Sequence, residues 1–100
     1  MGVIETMTFR LREDADEGAF LAVDKRLQSD FAYQQPGLVR RTTARGVGDH
    51  TGDWLVIDIW WNAEAADACA QRWDTDAVAQ EFMSFVDRTS VDVRRYADLE

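Results

Sequence analysis

The chain has one cysteine, one proline and one histidine in 100 residues, and acidic side chains outnumber basic ones. Each scarcity excludes something. Cys69 alone cannot form an intrachain disulfide, which fits a reducing cytoplasm better than an oxidising compartment. His50 alone cannot supply a multi-histidine metal site, and Asp49 and Asp53 beside it make a poor zinc set, so it reads as a solvated loop residue. Eleven Lys and Arg against nineteen Asp and Glu give a formal net charge of −8. Such a surface repels phosphate backbones and anionic bilayers, so neither nucleic acid nor membrane is an expected partner. No apolar run approaches the roughly 20 residues of a membrane helix, and no basic-then-apolar leader precedes the first strand pattern. Glycine-rich phosphate loops, paired-cysteine motifs and a Gly-x-Ser-x-Gly elbow are all missing. Gly46-Val47-Gly48 is not followed by a helix pattern and is no nucleotide site.

What remains is ordinary globular composition, 46% hydrophobic and 30% charged. The length suits a single domain over residues 1–100, able to bury roughly two-thirds of its unfolded surface without metals or disulfides. Val3 to Leu11 alternates with period two, which predicts a strand with Val3, Glu5, Met7, Phe9 and Leu11 on one face. The acidic cluster Glu13 to Glu17 suits a helix first turn, and Phe20, Val23, Leu27 and Phe31 form one helical stripe. Pro36-Gly37 ends it. Leu38 to Val47 reads as an exposed edge strand whose charge blocks unwanted pairing. Gly46 to Gly52 forms a hairpin loop, and Asp53 to Trp61 is a central strand, apolar on both faces apart from Asp58.

Asn62 caps a helix over Ala63 to Arg72. The second helical stretch, capped by Asp74 or Thr75, carries Val78, Phe82, Phe85 and Val86 on one stripe. Thr89 to Tyr96 closes the chain as a strand, with Val91 and Val93 on one face and Asp92, Arg94 and Tyr96 on the other. The order is βαββαβ, with the second helix broken near Trp73. That is an α+β, ferredoxin-like arrangement: one antiparallel four-stranded sheet with the helices on one face. Leu55, Ile57, Ile59 and Trp61 are expected to face the helices. Trp54, Val56, Asp58 and Trp60 would then lie on the bare face, an apolar patch that a second copy would cover.

The element order, Pro36-Gly37-Leu38 opening the second strand, and Ile59-Trp60-Trp61-Asn62-Ala63-Glu64-Ala65 together resemble the dimeric α/β-barrel superfamily. Within it they look most like the antibiotic-biosynthesis-monooxygenase-like domains. The resemblance implies a homodimer whose sheets form a barrel with a cavity in each subunit. Members include cofactor-free oxygenases of polyphenolic substrates, haem-degrading enzymes and small-molecule isomerases. Trp60 stands where members often have a cavity tryptophan. Val56 stands where some oxygenases carry an asparagine, and Cys69 and Ala70 where many members, haem degraders included, carry a histidine. At those positions the chain departs from the family pattern.

Among single residues, Asp58 is the sharpest candidate. A carboxylate inside an apolar strand costs several kcal/mol unless it is paired or protonated. It is either a general base of raised pKa or half of a structural ion pair with Arg94 or Arg40. Trp54 and Trp60 can stack on a flat aromatic ligand or serve as interface core, and Val56 and Arg94 complete the expected ligand-binding set. Glu5 reads as a strand-end surface carboxylate and Cys69 as a small buried hydrophobe. Arg40, Arg41 and Arg45 read as edge-strand charges or as a clamp for an anion at a cavity mouth. The expectation is a cytoplasmic homodimer that binds an apolar or aromatic small molecule, with no bound cofactor and Asp58 as base if it is catalytic. The alternatives are a non-catalytic dimerisation or ligand-sensing module and, more weakly, a haem-binding or haem-degrading protein.

Overall fold

A computed structural model describes residues 1–100. The chain runs β1 (Val3–Leu11), α1 (Glu17–Asp30), β2 (Leu38–Arg45), β3 (Asp53–Trp60), α2 (Ala63–Trp73), α3 (Ala77–Ser84) and β4 (Val86–Ala97), with short 3-10 turns at Ala32–Gln34 and Gly48–His50. The four strands form one antiparallel sheet in the order β2-β3-β1-β4. This is the expected ferredoxin-like topology.

Each helix begins where a short acceptor side chain can take an orphan backbone N–H. Asp16 Oδ2 accepts from Ala19 N at 2.9 Å to open α1, and Asn62 Oδ1 accepts from Ala65 N at 2.9 Å to open α2. The cap of α3 is Asp76, accepting from Ala79 N at 2.9 Å, and not Asp74 or Thr75 as the sequence suggests. The reason lies in α2: the N–H groups of Thr75 and Asp76 both donate to the carbonyl of Arg72, so residues 74–75 finish the earlier helix. Strand β4 likewise starts earlier than its alternation shows. Val86 leaves the helical stripe, pairs with Leu11, and still points into the core.

The core lies between the helices and one face of the sheet. Phe9, Phe20, Trp54 and Phe82 fill it, with Phe20 meeting Trp54 edge-on at 5.1 Å and Phe9 meeting Phe82 at 5.7 Å. Burying such a side chain stabilises the fold by about 1.5–3 kcal/mol. The aromatic volume decides which face of β3 is covered, and it reverses the expectation. Trp54, Val56 and Trp60 are buried under the helices with Asp58 between them, while Trp61 is 66% exposed just past the strand. Leu55, Ile57 and Ile59 lie on the other face, each half-buried, in register with Thr8, Thr6 and Ile4 of β1. Alternation could not settle this, because β3 is apolar on both sides. The bare face is therefore an Ile/Leu stripe and not a tryptophan patch.

Candidate functional site

Under the helices, toward the Trp60 end of β3, the sheet leaves a cavity of about 340 Å³. That falls within the usual range for small-molecule sites. Met7, Phe31, Val56, Trp73 and Phe82 supply much of its apolar wall. Five charged residues also border it: Arg41, Asp58, Glu5 and Arg95 from the sheet, and Asp74 just past the end of α2.

Of the two carboxylates that the sheet sends into the cavity, Asp58 is the one without a close partner. Its side chain is 21% exposed, and its nearest cation, Arg41 Nε, stands 3.9 Å from Oδ1. No group hydrogen-bonds that oxygen, although it is buried. Burial pushes the Asp58 carboxyl up to about 6 from the ordinary 3.8; Arg41 pulls it down, and the negative charges of Glu5 and Asp24 push it further up. Trp60 is 2% exposed, and its Nε1–H also lacks an acceptor. An orphan donor of this kind costs about 1–3 kcal/mol. The cavity thus joins an unmatched acceptor to an unmatched donor in apolar surroundings.

Arg41 does not neutralise Asp58 because its hydrogen bonds go elsewhere. Its Nη2 donates to Asp24 Oδ1 at 2.8 Å and its Nη1 to Gln28 Oε1 at 3.3 Å. The Tyr33 hydroxyl accepts from the Arg41 backbone N–H at 2.9 Å. At the opposite side, Arg95 Nε donates to Glu5 Oε2 at 2.8 Å and Nη1 to Asp67 Oδ1 at 2.5 Å.

Of the residues singled out from sequence, the structure brings Val56, Asp58 and Trp60 to one cavity. It does not bring Trp54 there. That ring is sealed in the core against Phe20 and borders only open depressions at the hairpin end, with Arg45 and Asp53 near one and Gly52 near another. Arg94 lies on the other face of the sheet, exposed, with its Nε on Asp92 Oδ2 at 2.8 Å. Arg40 also points to that face, paired with Ile59. The cation nearest Asp58 is Arg41, which strand alternation hides: a register shift between Leu38 and Arg40 inserts one residue and turns Arg41 inward. Arg95 was missed for the related reason that its strand's inner face could not be identified. The charge of Glu5 gave the one available signal, a carboxylate on an otherwise apolar strand face.

Cys69 lines the cavity as a protonated thiol, pushed up to about 12 first by burial and then by Asp58 and Glu5. His50 sits in the β2–β3 hairpin with its side chain 80% exposed, 3.8 Å from Asp53. The cavity holds no histidine, and no three His, Cys, Asp or Glu side chains converge as a metal set. The lining therefore offers haem no imidazole ligand. No helix is long and apolar enough to cross a membrane.

Neither a protein-family model nor a curated protein matches the sequence. Solved structures do match, over almost the whole chain. SnoaB of Streptomyces nogalater, a cofactor-independent oxygenase, superposes with a TM-score of 0.78 at 19% identity, covering 99% of this chain and 94% of that one. The chain has the antibiotic-biosynthesis-monooxygenase fold. A Chloroflexus aurantiacus protein provisionally named for that group gives a TM-score of 0.70 at 10% identity, covering 100% of this chain and 95% of the other. Rv0793 of Mycobacterium tuberculosis gives 0.70 at 15% identity, with coverage of 100% and 97%. Identities this low carry the monooxygenase-like fold, and the chemistry must be argued from the cavity.

Proposed function

We propose that this chain is a homodimeric, cytoplasmic, cofactor-free oxygenase of an apolar or aromatic small molecule, built as one domain over residues 1–100, with Asp58 as its base. The observation that carries the reading is the unpartnered Asp58 oxygen in an apolar cavity. A base is most useful when its pKa lies near the working pH, and about 6 is far nearer than an exposed carboxylate comes. Val56 and Trp60 would hold the ligand, the flat Trp60 ring packing on an aromatic face and its N–H donating to a ligand oxygen.

The chemistry follows from proton removal. Asp58 takes a proton from a phenol-like substrate, and the electron-rich anion reacts with dioxygen at carbon to form a C–O bond. Loss of water from the resulting hydroperoxide of a ring CH2 leaves a carbonyl, so CH2 and O2 become C=O and H2O. The apolar walls exclude water from the anion. Homodimerisation is supported by the half-buried Ile4, Leu55, Ile57 and Ile59 stripe, which no element of the chain covers.

Oxygen uptake with hydroxylated polycyclic aromatics tests the assignment. Native protein consumes oxygen, and Asp58→Asn abolishes uptake while leaving the dimer intact. Persistent turnover in Asp58→Asn removes Asp58 as the base. The second reading is a ligand-sensing module without chemistry. It is favoured by Val56 and Cys69, which put a methyl pair and a neutral thiol where a polar group would assist a reaction. Binding without uptake decides for it.

A further inference from the structure

The four charged groups that the sheet sends into the cavity form one row across its covered face. Register places Arg41 opposite Asp58, Asp58 opposite Glu5, and Glu5 opposite Arg95. The signs run plus, minus, minus, plus, yet the bonding is lopsided. Glu5 is closed onto Arg95 at 2.8 Å, and Arg95 is anchored in turn by Asp67 of α2. Asp58 has no such partner. Its nearest cation is claimed by Asp24 of α1, whose Oδ1 also accepts from Thr43 Oγ1 at 3.1 Å. Directly opposed side chains on antiparallel strands have Cβ atoms about 4.5–5.5 Å apart, and like charges there repel.

Resting on the assignment of Asp58 as base, we propose that Asp24 and Glu5 are its positioning residues. Asp24 holds Arg41 out of hydrogen-bond reach, and Glu5 fixes a second negative charge beside Asp58. Asp58 thereby stays a stronger base than an exposed carboxylate. Two carboxyl groups in unlike environments take unlike proton affinities, which is how one site separates an ionised group from a proton acceptor. The other ionisable groups facing the cavity do not substitute for these two. Cys69 of α2 keeps its proton, Asp74 lies just past the end of α2, and α3 contributes only Phe82. Arg72 is turned to Gln35, with its Nε donating to Oε1 at 2.6 Å. The direction of both influences agrees, since Glu5 and Asp24 each raise the Asp58 carboxyl.

The test is the titration of the Asp58 carboxyl by carbon NMR in the native protein, with Asp58→Asn identifying the resonance. The native midpoint falls at about 6. Glu5→Gln keeps the size and removes the charge, and Asp24→Asn frees Arg41; each lowers the midpoint by about one pH unit. Glu5→Asp keeps the charge and leaves the midpoint near the native one. A purely structural role would lower melting temperature in all three variants with no such split. Midpoints of Glu5→Gln and Asp24→Asn that coincide with the native value overturn the proposal, and so does a Glu5→Asp midpoint that drops with Glu5→Gln. The readout needs no ligand, so a failed ligand titration would count against the oxygenase reading alone.

Discussion

Arg41 and Asp58 face each other on neighbouring strands, both turned under the helices, yet their nearest charged atoms are 3.9 Å apart and share no hydrogen bond. A buried ion pair left open in this way stabilises little, because Asp58 has given up water while the hydrogen bonds of Arg41 go to Asp24 and Gln28.

That openness has a pH signature. Asp58 titrates near 6 when folded and near 3.8 when unfolded, so between those values the folded chain holds the extra proton. Its contribution to stability is fully present below about pH 3.8 and is lost as pH rises through about 6. Asp58→Asn mimics the protonated form. It should stabilise the protein by on the order of 2–3 kcal/mol relative to native at about pH 8, and by much less at about pH 4. Thermal melts at the two pH values check this.

The reading from sequence placed every strand, the βαββαβ order and the ferredoxin-like class, because period-two alternation in β1 and the Phe20, Val23, Leu27 stripe in α1 are strong local signals. It also isolated Asp58, Val56 and Trp60, which share one cavity. What it could not supply was parity. β3 carries apolar residues on both faces, so only packing against Phe9 and Phe20 tells which face is covered. The inserted residue near Val39 then swaps Arg40 for Arg41, and the irregularity between Thr8 and Arg10 interrupts the β1–β4 register. Nothing in local composition announces either irregularity. The parity of β3 is what misplaces Arg94, whereas Trp54 shares the covered face with Trp60 but lies at the hairpin end of the strand, packed on Phe20.

The uncovered face gives a second prediction. Ile57 sits in the middle of the stripe formed with Ile4, Leu55 and Ile59. Ile57→Lys puts a charge at the centre of the proposed interface and nowhere near the core. The native chain should sediment as a dimer, and the variant as a monomer with native circular dichroism. A variant that still sediments with the native species places the interface elsewhere.

Cys69 should be a poor nucleophile. With its thiol pushed up to about 12, the thiolate fraction near neutrality is roughly a thousandfold below that of a free cysteine. Labelling by a thiol-specific disulfide reagent should be correspondingly slow in native protein and rapid after denaturation. Equal rates would mean that the cavity wall at Cys69 is open and wet.

Gly37 packs against α2, the helix that carries Cys69. Its φ is +88°, and a Cβ there would stand 2.6 Å from the Ala65 Cβ in the first turn of α2. Gly37→Ala should cost about 2–3 kcal/mol from the left-handed backbone and the clash together. The midpoint of urea unfolding measures it, and an unchanged midpoint would show that α2 moves aside freely.

The most direct test of the cavity is a tryptophan-fluorescence titration with hydroxylated polycyclic aromatics, run on native protein, Trp54→Phe and Cys69→Phe. The account predicts saturable quenching at one site per subunit in the native protein, the same affinity in Trp54→Phe because that ring lies in the core, and loss of binding in Cys69→Phe because the added ring fills the cavity. Undiminished binding in Cys69→Phe, or binding that disappears with Trp54, would contradict it and move the ligand away from Asp58.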